Sequence, residues 1–155
     1  VIKTYDAIRE LRDAGVVVAG GFHSPMEREC LHFLLKGTQP VIVCPAKGLA
    51  RLRLPGEWRD ALAADRLLLL SMFPERIRRT TADRAVARNE FVAAIADAVL
   101  VPYASVGGKT EATVRRILMR GQPLYTFDDA ENECLLRLGA RPYSREAIHA
   151  AGLVS

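Results

Sequence analysis

The stretch Val16-Val17-Val18-Ala19-Gly20-Gly21-Phe22-His23-Ser24-Pro25-Met26-Glu27 passes from a β-branched strand pattern, through paired glycines, into the start signals of a helix. Ser24 stands at the N-cap, Pro25 takes the first helical position, where no amide partner is lost, and Glu27 follows the cap by three residues to close a capping box. The helix is expected to reach about Lys36, with Gly37 closing it. Paired glycines let a ligand approach the main chain, and the amides at a helix mouth attract anions.

The same construction occurs a second time. Ala98-Val99-Leu100-Val101 leads through Ser105-Val106-Gly107-Gly108-Lys109-Thr110-Glu111 into another helix. Two such turns, each at the carboxyl end of a strand, make a candidate site for an anion such as a nucleotide phosphate. Its expected lining is Gly20, Gly21, Phe22, His23 and Ser24 from the first turn and Ser105, Gly107, Gly108, Lys109 and Thr110 from the second. Lys47, Arg88 and Asn89 are the further candidates.

Outward from these turns the chain alternates strand and helix. Helical spacing of Tyr5, Ile8, Leu11 and Arg12 ends at Gly15. After the first turn and its helix come a strand at Val41 to Cys44, the turn Pro45-Ala46-Lys47-Gly48, a helix near Glu57 to Ala64, and Leu67 to Leu70 as a buried strand. Ser71 to Thr81, with Pro74 and three arginines, reads as a loop long enough to be functional, and Thr81 can cap a helix over Ala82 to Ala96 with Val86, Phe91, Ala94 and Ile95 inward. A strand at Ala98 to Val101, a helix over Thr110 to Arg120 with Gly121 behind it, a strand at Pro123 to Phe127 and helices near Ala130 to Leu138 and Arg145 to Ala150 complete the order. The pattern predicts an α/β fold of Rossmann-like, doubly wound type, a mainly parallel sheet with helices on both faces, as a single domain over residues 1–155. Such a fold places a strand before its first helix, so a strand upstream of Val1 is expected.

Half of the 155 residues are hydrophobic, enough for a sizeable core, yet the longest apolar runs are far too short for a membrane helix. Cys30, Cys44 and Cys134 are an odd number at wide spacing, each within an apolar pattern, which favours a reducing cytoplasm. Arg76, Arg78, Arg79, Arg84 and Arg88 against Asp83 give +4 in one short stretch, equal to the formal charge of the whole chain. The positive excess is therefore local and points to an anionic partner.

Several chemistries are excluded by spacing. Gly107-Gly108-Lys109-Thr110 resembles the end of a P-loop, but the required earlier glycine is Tyr103; the first turn breaks the dinucleotide fingerprint with Phe22 and Pro25. No Cys, His or carboxylate grouping matches a metal site, no nucleophile elbow occurs, and no cofactor is expected. Trp58 reads as a packing residue, and His32 and His149 show no partner spacing.

The order of features resembles the Rossmann-like domain of DNA-processing protein A, also called Smf, in the superfamily that includes the Lonely Guy phosphoribohydrolases. Leu68-Leu69-Leu70-Ser71-Met72-Phe73-Pro74 is similar to that family's L-L-S-E-Y-P, and Arg88-Asn89-Glu90-Phe91-Val92-Ala93-Ala94-Ile95-Ala96-Asp97-Ala98-Val99-Leu100-Val101 to its R-N-R-I-I-A-x-L-S-D-A-V-L-V. The resemblance implies single-stranded DNA binding in a basic pocket lined by Gly20, Gly21, Arg88, Asn89, Gly107, Gly108 and Lys109. The third motif arginine is Glu90 here. Likeness to Lonely Guy enzymes implies an alternative, cleavage of the N-glycosidic bond of a nucleoside monophosphate by Arg88 and Glu111, although Gly107-Gly108-Lys109-Thr110-Glu111 lacks the second half of their glycine motif. A third alternative is an interaction module that binds neither ligand. A homodimer is among the expected assemblies.

Overall fold

The capping box forms as written in the sequence. Ser24 Oγ accepts from the Glu27 amide, the Glu27 carboxylate accepts from the Ser24 amide, and helix α2 runs Pro25–Leu35. The computed structural model describes residues 1–153. Their elements are α1 (Ile2–Asp13), β1 (Val18–Gly20), α2, β2 (Val41–Val43), α3 (Gly56–Ala63), β3 (Leu67–Leu69), α4 (Ala82–Ile95), β4 (Val99–Leu100), α5 (Lys109–Met119), β5 (Leu124–Thr126), a 3-10 turn at Ala130–Asn132, α6 (Glu133–Leu138), β6 (Arg141–Pro142) and α7 (Arg145–Ala150). The chain divides into two compact units, Val1–Val92 and the part from Ala93 onward. Each holds a three-stranded parallel sheet, β1-β2-β3 and β4-β5-β6. Strands alternating with helices give the α/β, Rossmann-like fold.

In the first unit Val18, Ala19 and Gly20 pair with Val41, Ile42 and Val43, which pair in turn with Leu67, Leu68 and Leu69. Ile8 of α1, Leu31, Leu34 and Leu35 of α2, Val41, Val43, Ala61 and Leu67 form one core cluster. Each fully buried Leu or Val contributes about 1.5–3 kcal/mol by leaving water. Tyr5 meets Phe33 edge to face, with ring centroids 5.4 Å apart, which seats α1 on α2. The last carbonyls of α2 find side-chain donors: Gln39 Nε2 reaches Leu34 O at 3.1 Å and Arg66 Nη2 reaches Leu35 O at 3.0 Å.

Two expectations are corrected here. Leu67 is buried but Leu68 is 52% exposed, because β3 is an edge strand and alternate side chains leave the core face. On α4 the inward residues include Arg88 and Ala93, whereas Ala94 and Ile95 are exposed. Apolar periodicity cannot register a helix face whose buried group is a guanidinium.

In the second unit Val99 pairs with Leu124 and Tyr125 with Arg141. Val114 and Ile117 of α5, Leu124 and Leu135 are its innermost apolar residues. Asn132, 1% exposed, donates to Pro102 O at 3.0 Å and so ties the loop leaving β4 to the turn before α6. The short β6 was not legible from pattern, since Arg141 and Pro142 show no strand alternation. Among the described residues no helix is long and apolar enough to cross a membrane.

Candidate functional site

The first turn is built at the carboxyl ends of β1 and β2. Cys44 N donates to Gly20 O at 2.8 Å, extending the ladder one step beyond the strands. Phe22 then adopts φ +47°, an uncommon value for a bulky residue, and its buried ring lies so near Gly20 that a Cβ there would sit 3.1 Å from Cζ. Gly21 is required for a different reason. A Cβ on it would fall 1.6 Å from Arg88 Nη1, so only glycine leaves room for the guanidinium.

Arg88 itself is 4% exposed. Its Nη1 donates to Cys44 O at 2.9 Å and its Nε to Asn89 Oδ1 at 2.8 Å. Among the described residues no carboxylate stands within ion-pair distance of it, and Nη2 has no hydrogen-bond partner. Burial pushes the Arg88 pKa down, opposed first by the more distant charge of Glu27; an arginine nonetheless stays protonated. A buried cation sits where two strands end.

The amides of this mouth already have an acceptor. Glu27 Oε2 takes His23 N at 3.1 Å and Ser24 N at 2.8 Å. Glu27 was legible as a cap, but its second contact, to His23, was not. The His23 side chain itself is exposed.

The rest of the arginine cluster lies apart from Arg88 in character. Arg76, Arg78 and Arg79 are exposed, and Arg84 Nη1 donates to Arg79 O at 2.9 Å. Their loop is fastened to the turn after β2: Ser71 Oγ donates to Lys47 O at 2.7 Å, and Gly48 N to Ile77 O at 2.8 Å. A Cβ on Gly48 would sit 2.6 Å from Pro74 O, so this glycine permits the close approach. It was not among the expected site residues, and its signal was only the Ala46-Lys47-Gly48 turn. Lys47 thus contributes its carbonyl to loop attachment.

The second turn, in the other unit, is closed by its own helix. Gly107 adopts φ +71°, Gly108 N donates to Ser105 O at 3.0 Å, and Gly108 precedes α5 without a side-chain cap. Glu111 is buried, accepts from Gly107 N at 2.8 Å, and binds Arg115 Nη2 at 2.6 Å. The Gly107 amide and then Arg115 hold the Glu111 pKa below the usual carboxylate range. Lys109 and Thr110 are exposed at the head of α5, and Ser105 is exposed in the loop before it.

No protein-family model matches this chain, and no curated protein matches it in sequence. Solved structures do match. DNA processing protein A from Helicobacter pylori, described for its unique single-stranded DNA binding mode, superposes with a TM-score of 0.73 at 21% identity, over 98% of this chain and 73% of that one. DNA processing protein A from Streptococcus pneumoniae gives a TM-score of 0.71 at 17% identity, over 96% of this chain but 56% of that one. The chain therefore has the Rossmann-like fold seen in DNA processing protein A.

Proposed function

We propose that this chain binds single-stranded DNA, with a backbone phosphate at the first glycine turn beside Arg88. The observation that carries the reading is the buried guanidinium on Gly21, which among the described residues has no paired carboxylate and no partner for Nη2. Burying a cation is costly unless an opposite charge meets it, and a phosphodiester supplies one. Exposed Arg76, Arg78 and Arg79 in the same unit add the sequence-independent attraction that a polyanion needs. The fold, shared with a protein described as binding single-stranded DNA, supports the same reading. Free thiols at Cys30, Cys44 and Cys134 fit a cytoplasmic setting.

The phosphoribohydrolase alternative needs Glu111 to deliver a proton. A general acid works with a raised pKa, and the contacts of Glu111 lower it. Binding is accordingly the preferred reading.

A labelled single-stranded oligonucleotide titrated over a salt series tests it. Neutralising about three to five phosphates gives a log-log slope of about −2 to −3.5. Undetectable or salt-independent binding ends the proposal.

A further inference from the structure

We propose that Glu27 sets which phosphate the first turn admits: its carboxylate cancels the extra pull that Arg88 would exert on a doubly charged terminal phosphate and so leaves the site open to the singly charged phosphodiester of a nucleic-acid backbone. This rests on the reading of the first turn as a nucleic-acid site and names the ligand group it selects.

A capping box needs the glutamate only on the N-cap amide. Here one oxygen, Glu27 Oε2, takes both Ser24 N at 2.8 Å and His23 N at 3.1 Å. These are amides that an anion at this helix end would compete for. Beside them stands the second observation. Arg88 is 4% exposed, lies where a Gly21 Cβ would be, and has no carboxylate within ion-pair distance among the described residues.

The charges explain the selection. Arg88 and Glu27 together sum to zero, so the turn carries a cation for the ligand and a built-in anion against it. Coulomb repulsion from Glu27 scales with ligand charge, so a phosphate near −2 suffers about twice the penalty of a diester at −1. Attraction to Arg88 doubles in the same way, so Glu27 removes the advantage that free phosphate and terminal phosphomonoesters would otherwise hold over an internal backbone phosphate.

The test compares the full chain with Glu27→Gln, which keeps an oxygen for the amides and removes the charge, using inorganic phosphate and a 5′-hydroxyl single-stranded oligonucleotide as probes. Glu29→Gln, an exposed change of equal charge on the same helix, is the control. In a buffer above the second pKa of inorganic phosphate, where it is the dianion, Glu27→Gln should bind it about tenfold more tightly than the wild type and the oligonucleotide about threefold, the ratio that doubled charge requires. Equal gains, no gain, or the same gain from Glu29→Gln would overturn the proposal. Should Glu27→Gln not fold, the wild type still decides: dimethyl phosphate and inorganic phosphate must displace the oligonucleotide at similar concentrations, and a clear preference for inorganic phosphate defeats the idea. A wild type that binds no oligonucleotide removes the functional reading, while the phosphate gain in Glu27→Gln continues to judge Glu27 by itself.

Discussion

At the first glycine turn the mouth carboxylate, Glu27, lies in the field of a buried guanidinium that no carboxylate among the described residues pairs, whereas at the second the mouth carboxylate, Glu111, is bound by Arg115 of its own helix. Both turns put a glutamate on backbone amides just before a helix. The difference lies in the arginine. Arg115 is four residues along the same helix and half exposed, so its charge is spent on its neighbour and on water. Arg88 comes from another element, is buried against a strand-end carbonyl, and has no carboxylate within ion-pair distance among the described residues. Paired glycines thus make a turn, and the element that crosses it decides whether a buried cation is left there.

The largest effect should come from exchanging these arginines. Arg88→Ala removes a charge-assisted contact to a phosphate, so oligonucleotide affinity should fall on the order of a hundredfold, given about 1.5–3 kcal/mol for a hydrogen bond to a charged group. Arg115→Ala should change it less than about threefold, as expected for an exposed i,i+4 pair. Equal losses would erase the distinction between the turns. Circular dichroism of both variants separates lost binding from lost structure.

Next in size is the response of the two glycine pairs to a methyl group. Gly21→Ala drives a Cβ into Arg88 Nη1, and moving that guanidinium gives up its bond to Cys44 O. Overpacking of this kind costs about 1–3 kcal/mol, read from urea midpoints, and should lower oligonucleotide affinity as well. Gly108→Ala meets Ser105 O at 3.0 Å and only needs a loop to give slightly. Its cost should stay within about 0.5 kcal/mol, the usual range of a surface change. A Gly21→Ala variant of full stability and affinity would mean that the seat of Arg88 is dispensable.

The sequence disclosed the first turn almost completely, because cap, proline and capping glutamate act over four neighbouring positions. It could not disclose what Gly21 is for. That glycine answers to Arg88, far along the chain on a helix whose apolar spacing put Val86, Phe91, Ala94 and Ile95 inside, while the structure exposes Ala94 and Ile95 and buries Arg88. Hydropathy periods record apolar burial, and Arg88 is buried through a carbonyl. The arginine cluster was visible as charge, but not its division into a buried Arg88, a half-buried Arg84 and an exposed loop that approaches Gly48 through Pro74 and Glu75. Leu67 to Leu70 read as a buried strand, and the structure has Leu67–Leu69 as a strand; its edge position, and so the exposure of Leu68, depends on strand order.

Acid should affect the second turn in a defined direction. The folded-state pKa of Glu111 is depressed by Gly107 N–H and Arg115, so the stability it contributes is present above its unfolded value, about 4.3, and is lost as pH falls through the folded one. Glu111→Gln should therefore show a smaller drop in urea midpoint between neutral pH and pH of about 3 than the wild type. The slope should not vanish, because Glu146 is also held low by hydrogen bonds at the start of α7. Identical profiles for wild type and variant would show that Glu111 is not the carboxylate that closes this mouth.

The smallest expected effect concerns the caps. Helix α2 starts on a Ser24 hydroxyl that accepts the Glu27 amide at 3.2 Å, while α5 starts on Gly108 with no side-chain cap. Ser24→Ala should cost about 1 kcal/mol, because the orphan amide loses its acceptor while Glu27 continues to hold Ser24 N. Gly108→Ser offers α5 the oxygen it lacks, but the added Cβ must pass 3.0 Å from Ser105 O. Since serine exceeds glycine at an N-cap by only a few tenths of a kcal/mol, the contact should cancel the gain and leave thermal stability nearly unchanged. A clear rise in melting temperature for Gly108→Ser would show that the loop before α5 yields easily, and that the uncapped start of this helix reflects its close approach to Ser105 less than the comparison of the two turns requires.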